Sequence, residues 1–361
     1  MATETKERPD SGAGERIRSL VERTIQRNIK GVEYFASAAP PVGLTPKEVI
    51  HKRGTLNLYH YKPLVDEIYR VPILMVMATT NRGYVFDIAE EHSFVRFLLN
   101  AGYDVFVMDW DHPRPEEKTL GLDDYADKFI ADCLRRVRDV TGEEEVTLAG
   151  YCMGGVLATI YAATHPEEPL KNLACFTTPV DFSAMEMFAH MSQRKYFNVD
   201  RLVDNVGNVA PELLLTSFDM LRPSGRAAGQ RALWDNMWNG DFVEFHRKME
   251  RWSNDMLPLA GEYFRDTTKK LMWDNALYKG TLEVAGRTAD IGNITIPLFH
   301  GVALHDHIVP YEASKHLVAL AGSEDKTEIV LKGGHISLIA GPNAARRLWP
   351  TLDEWLAERS V

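Results

Sequence analysis

From Glu15 onward, apolar residues return at Ile17, Leu20, Val21, Ile25 and Ile29, the spacing of one face of a helix. Arg16, Arg18, Arg23, Arg27 and Lys30 occupy its other faces. The pattern predicts an amphipathic helix over 15–35, preceded by about 14 polar residues expected to be disordered. Such a stripe packs on the chain's own core or on a partner; the arginines also suit an anionic surface.

After "VGLTPKEVI" the period changes. Short, continuous apolar runs appear at 71–78 ("VPILMVMA"), 104–110 ("DVFVMDW"), 145–150 ("EVTLAG") and 170–180 ("LKNLACFTTPV"). Helical spacing lies between them, near 87–100, 122–140 and 154–165. The alternation resumes with 296–306 ("IPLFHGVALHD"), a helix near 311–320, 327–333 ("TEIVLKG") and a final helix near 343–358. Strands apolar throughout, alternating with helices, indicate an α/β fold with a buried, mostly parallel central sheet. Between about 181 and 293 strand patterns nearly vanish. That stretch reads as helices and loops and holds Trp234, Trp238, Trp252 and Trp273. Placed inside an α/β core, it is expected to be a helical cap insertion over a site, with most of its tryptophans buried; a plain packing subdomain is the other reading. The layout is therefore an N-terminal arm (1–40), a core in two pieces (41–180 and 294–361) and a cap or lid (181–293).

Composition narrows the function classes. The 361 residues carry 51 acidic against 41 basic side chains, a net charge of −10, which speaks against nucleic-acid binding. No apolar run approaches the roughly 20 residues of a transmembrane helix, and the N-terminus lacks a signal-peptide core, so a cytoplasmic protein is expected. Cys133, Cys152 and Cys175 are too few and too scattered for a disulfide framework or a cysteine-rich zinc site.

One cysteine stands apart. Gly150-Tyr151-Cys152-Met153-Gly154 has the G-x-nucleophile-x-G form of a nucleophile elbow, with a strand before it and a helix after it. The helix start favours a thiolate and offers N–H groups to an oxyanion. Cys133 and Cys175 lie in apolar patterns and are expected to be inert core residues. A nucleophile needs a base and the base an orienting acid, in the chain order nucleophile, acid, histidine on loops after late strands. "ALHDHIVP" supplies Asp306 and "LKGGHISL" supplies His335, giving a candidate catalytic triad of Cys152, Asp306 and His335 on an α/β-hydrolase fold. His305-Asp306-His307 lacks the spacing of a zinc site, so no metal is expected. His307 is either a supporting group behind the triad or a surface residue. The oxyanion hole is expected to pair the Met153 backbone N–H with that of Thr80 or Asn81, in the "TTNRGY" loop after the 71–78 strand.

At these residues the sequence resembles the polyhydroxyalkanoate synthases. "LYHYKPL", "NRGYVFD", "GYCMGG", "DHIVP" and "GGHI" match that family's marks in order, as do "AGEYFRDTTKKLMWDNAL" and "GTLEVAGRTADIGNIT" in the insertion. The resemblance runs from about Val42 to Trp355, is nearest the short two-subunit types (classes III and IV), and leans towards class IV in "VGLTPKEVI", "GYCMGG" and "KYFNVDRLVDNVGN". One departure is Gly83, where loops of the family often carry proline.

The resemblance implies an acyltransferase of polyester biosynthesis. It would take 3-hydroxyacyl-CoA, short-chain and 3-hydroxybutyryl-CoA foremost, onto Cys152 as a thioester and release coenzyme A, with no cofactor. His335 would be the base and Asp306 its partner; the division of work between these two stays open. A smaller non-catalytic synthase subunit (PhaR- or PhaE-type), a homodimer or higher oligomer, and residence at the polyester granule surface are implied as well. The short segment before the core pattern fits a chain that is not self-sufficient. A cysteine hydrolase of the dienelactone-hydrolase kind and a catalytically silent scaffold are the alternatives. The 181–293 insertion speaks against the first and an intact Cys152–Asp306–His335 set against the second.

Overall fold

Among the described residues the chain forms ten strands: β1 (Lys47–Arg53), β2 (Leu56–Tyr61), β3 (Ile73–Val76), β4 (Val105–Trp110), β5 (Val146–Tyr151), β6 (Leu170–Phe176), β7 (Glu283–Val284), β8 (Arg287–Thr288), β9 (Leu298–Ala303) and β10 (Lys326–Leu331). The computed structural model describes residues 11–361. The disorder expected at the N-terminus falls, for residues 1–10, outside the described residues. From Ser11 the chain is already helical, as α1 (Ser11–Ala36).

Two compact units emerge. One comprises the chain through Pro41 together with Pro223–Arg251, and the other Val42–Arg222 with Trp252–Val361. The larger unit carries an eight-stranded sheet in the order β1-β2-β4-β3-β5-β6-β9-β10, while β7 and β8 form a separate small hairpin. β3, β4, β5, β6, β9 and β10 run parallel; β1 and β2 are antiparallel additions at one edge. Every residue of β3, β4, β5 and β9 is buried, because helices cover both faces of a parallel sheet and leave no polar side for alternation. Helices α2 (Phe94–Asn100), α3 (Phe129–Thr141) and α4 (Met153–Thr164) supply much of that cover. α4 is apolar nearly all round and buried from Gly154 to Thr164, as expected of a central helix.

The β1–β2 hairpin was not foreseen from the residue pattern. β1 reads "KEVIHKR" and is mostly exposed or half-exposed, so the charges of an edge strand mask its period. Cys133 and Cys175 are fully buried, as expected, and burial pushes both thiols up, Cys175 to about 11.

Between 181 and 293 the backbone is helical and irregular apart from the β7–β8 hairpin. Its tryptophans do not behave as one group. Trp252 is buried and Trp273 half-buried, but Trp234 and Trp238 are exposed, so the expectation of mostly buried tryptophans is corrected. The reason is local. In the smaller unit the Arg23 and Arg27 guanidinium groups of α1 lie over the Trp238 and Trp234 rings, at 4.6 and 5.1 Å, and the rings stay at the surface as their partners. The Tyr34 hydroxyl bonds the Glu250 carboxylate at 2.6 Å, and the Arg247 guanidinium caps the helix end at Ser37 and Ala38. α1 thus turns its arginine face to 223–251. Its aliphatic stripe, Ile17, Leu20, Val21, Ile25 and Ile29, is left exposed together with Val32.

Candidate active site

β5 ends in a turn whose pivot is Cys152, with φ 54° and ψ −122°, and α4 begins at the next residue. A positive φ in a residue with a side chain is strained, worth about 1–3 kcal/mol, and is sustained only by tight surroundings. Those surroundings are glycines. A Cβ on Gly150 would lie 2.5 Å from the Gly154 carbonyl oxygen and the Gly155 Cα. A Cβ on Gly154 would overlap the main chain of Val76 and Met77, so only glycine lets the start of α4 rest on the end of β3. The turn leaves the Cys152 side chain half-exposed above the C-terminal edge of the sheet.

Asp306 and His335 arrive on the loops after β9 and β10. These loops are stitched together by Leu304 N–H donating to Leu331 O (2.8 Å) and His305 N–H to Gly333 O (3.0 Å). One Asp306 carboxylate oxygen accepts the Ile308 and Val309 N–H groups (2.8 and 2.9 Å), and the other meets His335 Nδ1 at 2.6 Å. Both side chains are buried. With Nδ1–H given to Asp306, Nε2 is left for Cys152, whose sulfur is near enough to act on the imidazole. Burial alone would lower the imidazolium. The Asp306 carboxylate and the Cys152 sulfur charge outweigh it and raise His335 to about 10. The structure therefore brings together all three residues expected from the sequence.

The other expected residues are near at hand. Met153 is the first residue of α4, where N–H groups lack partners within the helix. The loop after β3 reaches it through the Gly154–Val76 contact. In that loop Thr80 O accepts Leu257 N–H at 2.8 Å, and Asn81 pairs with Met256 as a single antiparallel bridge. His307 lies exposed at the surface; partial desolvation lowers it further than Asp306 raises it, with Arg222 and His335 adding to the lowering. No group of three or more metal-binding side chains occurs among the described residues.

Three residues escaped the sequence reading. Tyr263 is buried, and its hydroxyl receives the Thr79 hydroxyl at 3.3 Å beside the elbow; burial, countered by Thr79 and aided by Cys152, raises it. The Tyr151 ring packs 5.0 Å from the His335 ring, and its buried hydroxyl has no hydrogen-bonding partner among the described residues. Asp109 accepts the Gly83 N–H at 2.7 Å. Nothing in the spacing singles out the tyrosines, but an aspartate inside the apolar run "DVFVMDW" was a readable signal.

Sheet order, elbow and loop positions define an α/β-hydrolase fold, and the family model of that description matches residues 79–342. Solved structures share it: a putative lipase from Sulfolobus solfataricus (TM-score 0.58, 13% identity, 87% of this chain and 99% of that one) and a Paleococcus ferrophilus monoacylglycerol lipase (TM-score 0.53, 16% identity, 84% and 99%). The model described as the poly-beta-hydroxybutyrate polymerase (PhaC) N-terminus matches residues 30–98. Poly(3-hydroxyalkanoate) polymerase subunits PhaC are similar over most of the chain. That of Allochromatium vinosum is 35% identical over 91% of this chain and 94% of its own length, and that of Synechocystis 31% over 88% and 86%. The Haloferax mediterranei protein is 35% identical over 88% of this chain, which spans 65% of its length. The chain belongs to the poly(3-hydroxyalkanoate) polymerase family and is an enzyme of acyltransferase type.

Proposed function

We propose that the chain polymerises short-chain 3-hydroxyacyl-CoA, such as 3-hydroxybutyryl-CoA, through a Cys152 acyl-enzyme. The observation that carries this is the buried, hydrogen-bonded Asp306–His335 pair beside Cys152 at a strained elbow. The raised His335 supports its role as the group that takes the Cys152 proton. The Cys152 sulfur attacks the thioester carbonyl, and the Met153 N–H with that of Thr80 or Asn81 holds the oxyanion. The carbon–sulfur bond to coenzyme A then breaks, and His335 delivers its proton to the departing sulfur. Acylation removes the thiolate charge that held the imidazolium, so the neutral ring can take the proton of a 3-hydroxyl. That oxygen attacks the Cys152 thioester, an ester forms, and the sulfur leaves as thiolate beside a reprotonated His335. Thioester exchanged for thioester is nearly neutral in energy. Ester formation is downhill and drives growth.

Hydrolysis competes at every acyl-enzyme, so the site needs cover. Residues 256–263, laid against Thr79–Asn81, support a lid role for their part of the 181–293 stretch. The exposed aliphatic stripe of α1 supports association with a smaller subunit or a second copy. No described helix is long and apolar enough to cross a membrane, and the growing chain would tether the enzyme to the polymer surface.

The test is 3-hydroxybutyryl-CoA with wild type and Cys152→Ala, following free thiol and turbidity. Both signals are expected from wild type and neither from the variant. Thiol without turbidity would make the protein a thioesterase, and polymer from Cys152→Ala would remove the acyl-enzyme.

A further inference from the structure

The loop after β3 carries the backbone of Thr80 and Asn81, and it is gripped from one side by the end of β4. The Trp110 indole N–H donates to Met77 O at 2.9 Å, where the loop begins. One Asp109 carboxylate oxygen accepts the Gly83 N–H at 2.7 Å, where it ends, and the Trp110 N–H at 2.8 Å. The Arg82 guanidinium adds a bond to Trp110 O at 2.8 Å. Only the four residues 78–81 lie between these holds. Gly83 is what permits the closest of them, because a Cβ there would lie 2.9 Å from the Asp109 carboxyl carbon and 3.1 Å from both oxygens.

Asp109 is a costly residue to keep in that place. It is buried at the end of an otherwise apolar strand, and burial raises its carboxyl to about 6 against the Trp110 and Gly83 N–H groups, Arg82 and Lys47. The groups facing it are Lys47 of β1, Tyr59 and Tyr61 of β2, and Arg82 of the loop, with Asp87 and Asp111 further charges of the same cluster. Lys47 is itself lowered by burial, and its ammonium bonds the Tyr61 hydroxyl at 3.0 Å. A strand end needs no charge for stability. A carboxylate held there, with its lone pairs turned to a loop N–H, points to a task in that loop.

We propose that Asp109 is a positioning residue for acyl transfer: by holding Gly83 N–H it fixes the 78–81 turn, and so sets the Thr80 or Asn81 N–H where the oxyanion forms. This rests on the acyl-enzyme reading above. Asp109 touches no reacting atom; it acts through the loop.

The test compares Asp109→Ala, Asp109→Asn and Gly83→Ala with wild type in full-length protein. Four quantities are read: single-turnover coenzyme A release, KM, iodoacetamide alkylation of Cys152, and thermal unfolding. Asp109→Ala is expected to slow release roughly 10–100-fold, the scale of a misplaced oxyanion donor, with KM within about two-fold. Alkylation should stay at the wild-type rate, because the Cys152–His335 pair does not pass through the loop. Asp109→Asn keeps an acceptor oxygen and should fall within about three-fold of wild type, a rescue that general loosening would not give. Gly83→Ala leaves the carboxylate but pushes it off, and is expected to lose release in the same pattern; it decides the matter where Asp109→Ala does not fold. Wild-type release in both alanine variants overturns the inference and leaves the acyl-enzyme reading standing. So does loss of alkylation in step with release, or an asparagine variant as slow as the alanine one. Wild type that releases no coenzyme A removes the acyl-enzyme reading itself, and this role falls with it.

Discussion

The two compact units treat their polar and apolar groups in opposite ways. In the sheet unit charged groups are buried and tied: Asp306 has three bonds, and Asp109 accepts two N–H groups beside Lys47 and Arg82. In the unit of α1 and 223–251, arginines lie over exposed tryptophans while Ile17, Leu20, Val21 and Ile25 remain in water. Burying charge at one place and leaving aliphatic surface exposed at another are both unfavourable in isolation. The difference separates a region organised around a reaction from one organised around a surface. If that separation is real, changes in one unit should abolish chemistry and changes in the other should alter association with chemistry intact.

The largest effect is expected at the elbow. Cys152→Ala should remove coenzyme A release and polymer entirely, with an unfolding midpoint near that of wild type, since the change leaves little cavity. Cys152→Ser should retain at most a trace, because an alkoxide is harder to generate than a thiolate.

Asp306→Asn comes next, with release expected to fall about 10³–10⁴-fold as the His335 imidazolium loses its partner. The sign of the pH effect follows from the raised His335. Its contribution to stability is complete below the unfolded value near 6.5 and is lost as pH rises through about 10. Asp306→Asn should bring that loss to lower pH. Unchanged midpoints in both proteins from pH 7 to 10 would deny the ion pair.

The other unit supplies the contrast. Leu20→Gln with Ile25→Gln should weaken association with a co-purified subunit or second copy by about 10–100-fold for each side chain buried there, measured by sedimentation. Single-turnover release by the chain alone should not change. Equal loss of both would merge the two regions.

Asp109 gives a smaller effect within the sheet unit. Its folded value is raised, so its stabilisation is present at low pH and lost as pH rises through about 6. Relative to Asp109→Asn, wild type should gain about 1 kcal/mol on going from pH 7 to 5, read from urea midpoints. Smallest is Trp234→Ala, which removes the ring under Arg27 and should destabilise by about 0.5–1 kcal/mol, since the pair is exposed.

Much of this was legible in the residue order. The buried strands announced themselves because a sheet covered on both faces tolerates only apolar runs, and Cys152, Asp306 and His335 because their loops follow such strands in a fixed order. Gly150 and Gly154 were legible for a steric reason, since the elbow leaves no room for a Cβ. The edge strand "KEVIHKR" was hidden by the charges that protect an edge. The tryptophans misled because an aromatic ring under a guanidinium needs no burial.

Local spacing by itself determined the elements, the elbow and the order of its partners, because these depend on near neighbours in the chain. Tertiary structure decided the rest. That Arg23 and Arg27 rather than Ile17 and Ile25 face 223–251, that Tyr263 meets Thr79, and that Asp109 reaches Gly83 are pairings across 26 to more than 200 residues. Such contacts leave no periodic trace. They depend on which surfaces the folded backbone brings within hydrogen-bonding distance, and that is settled by packing.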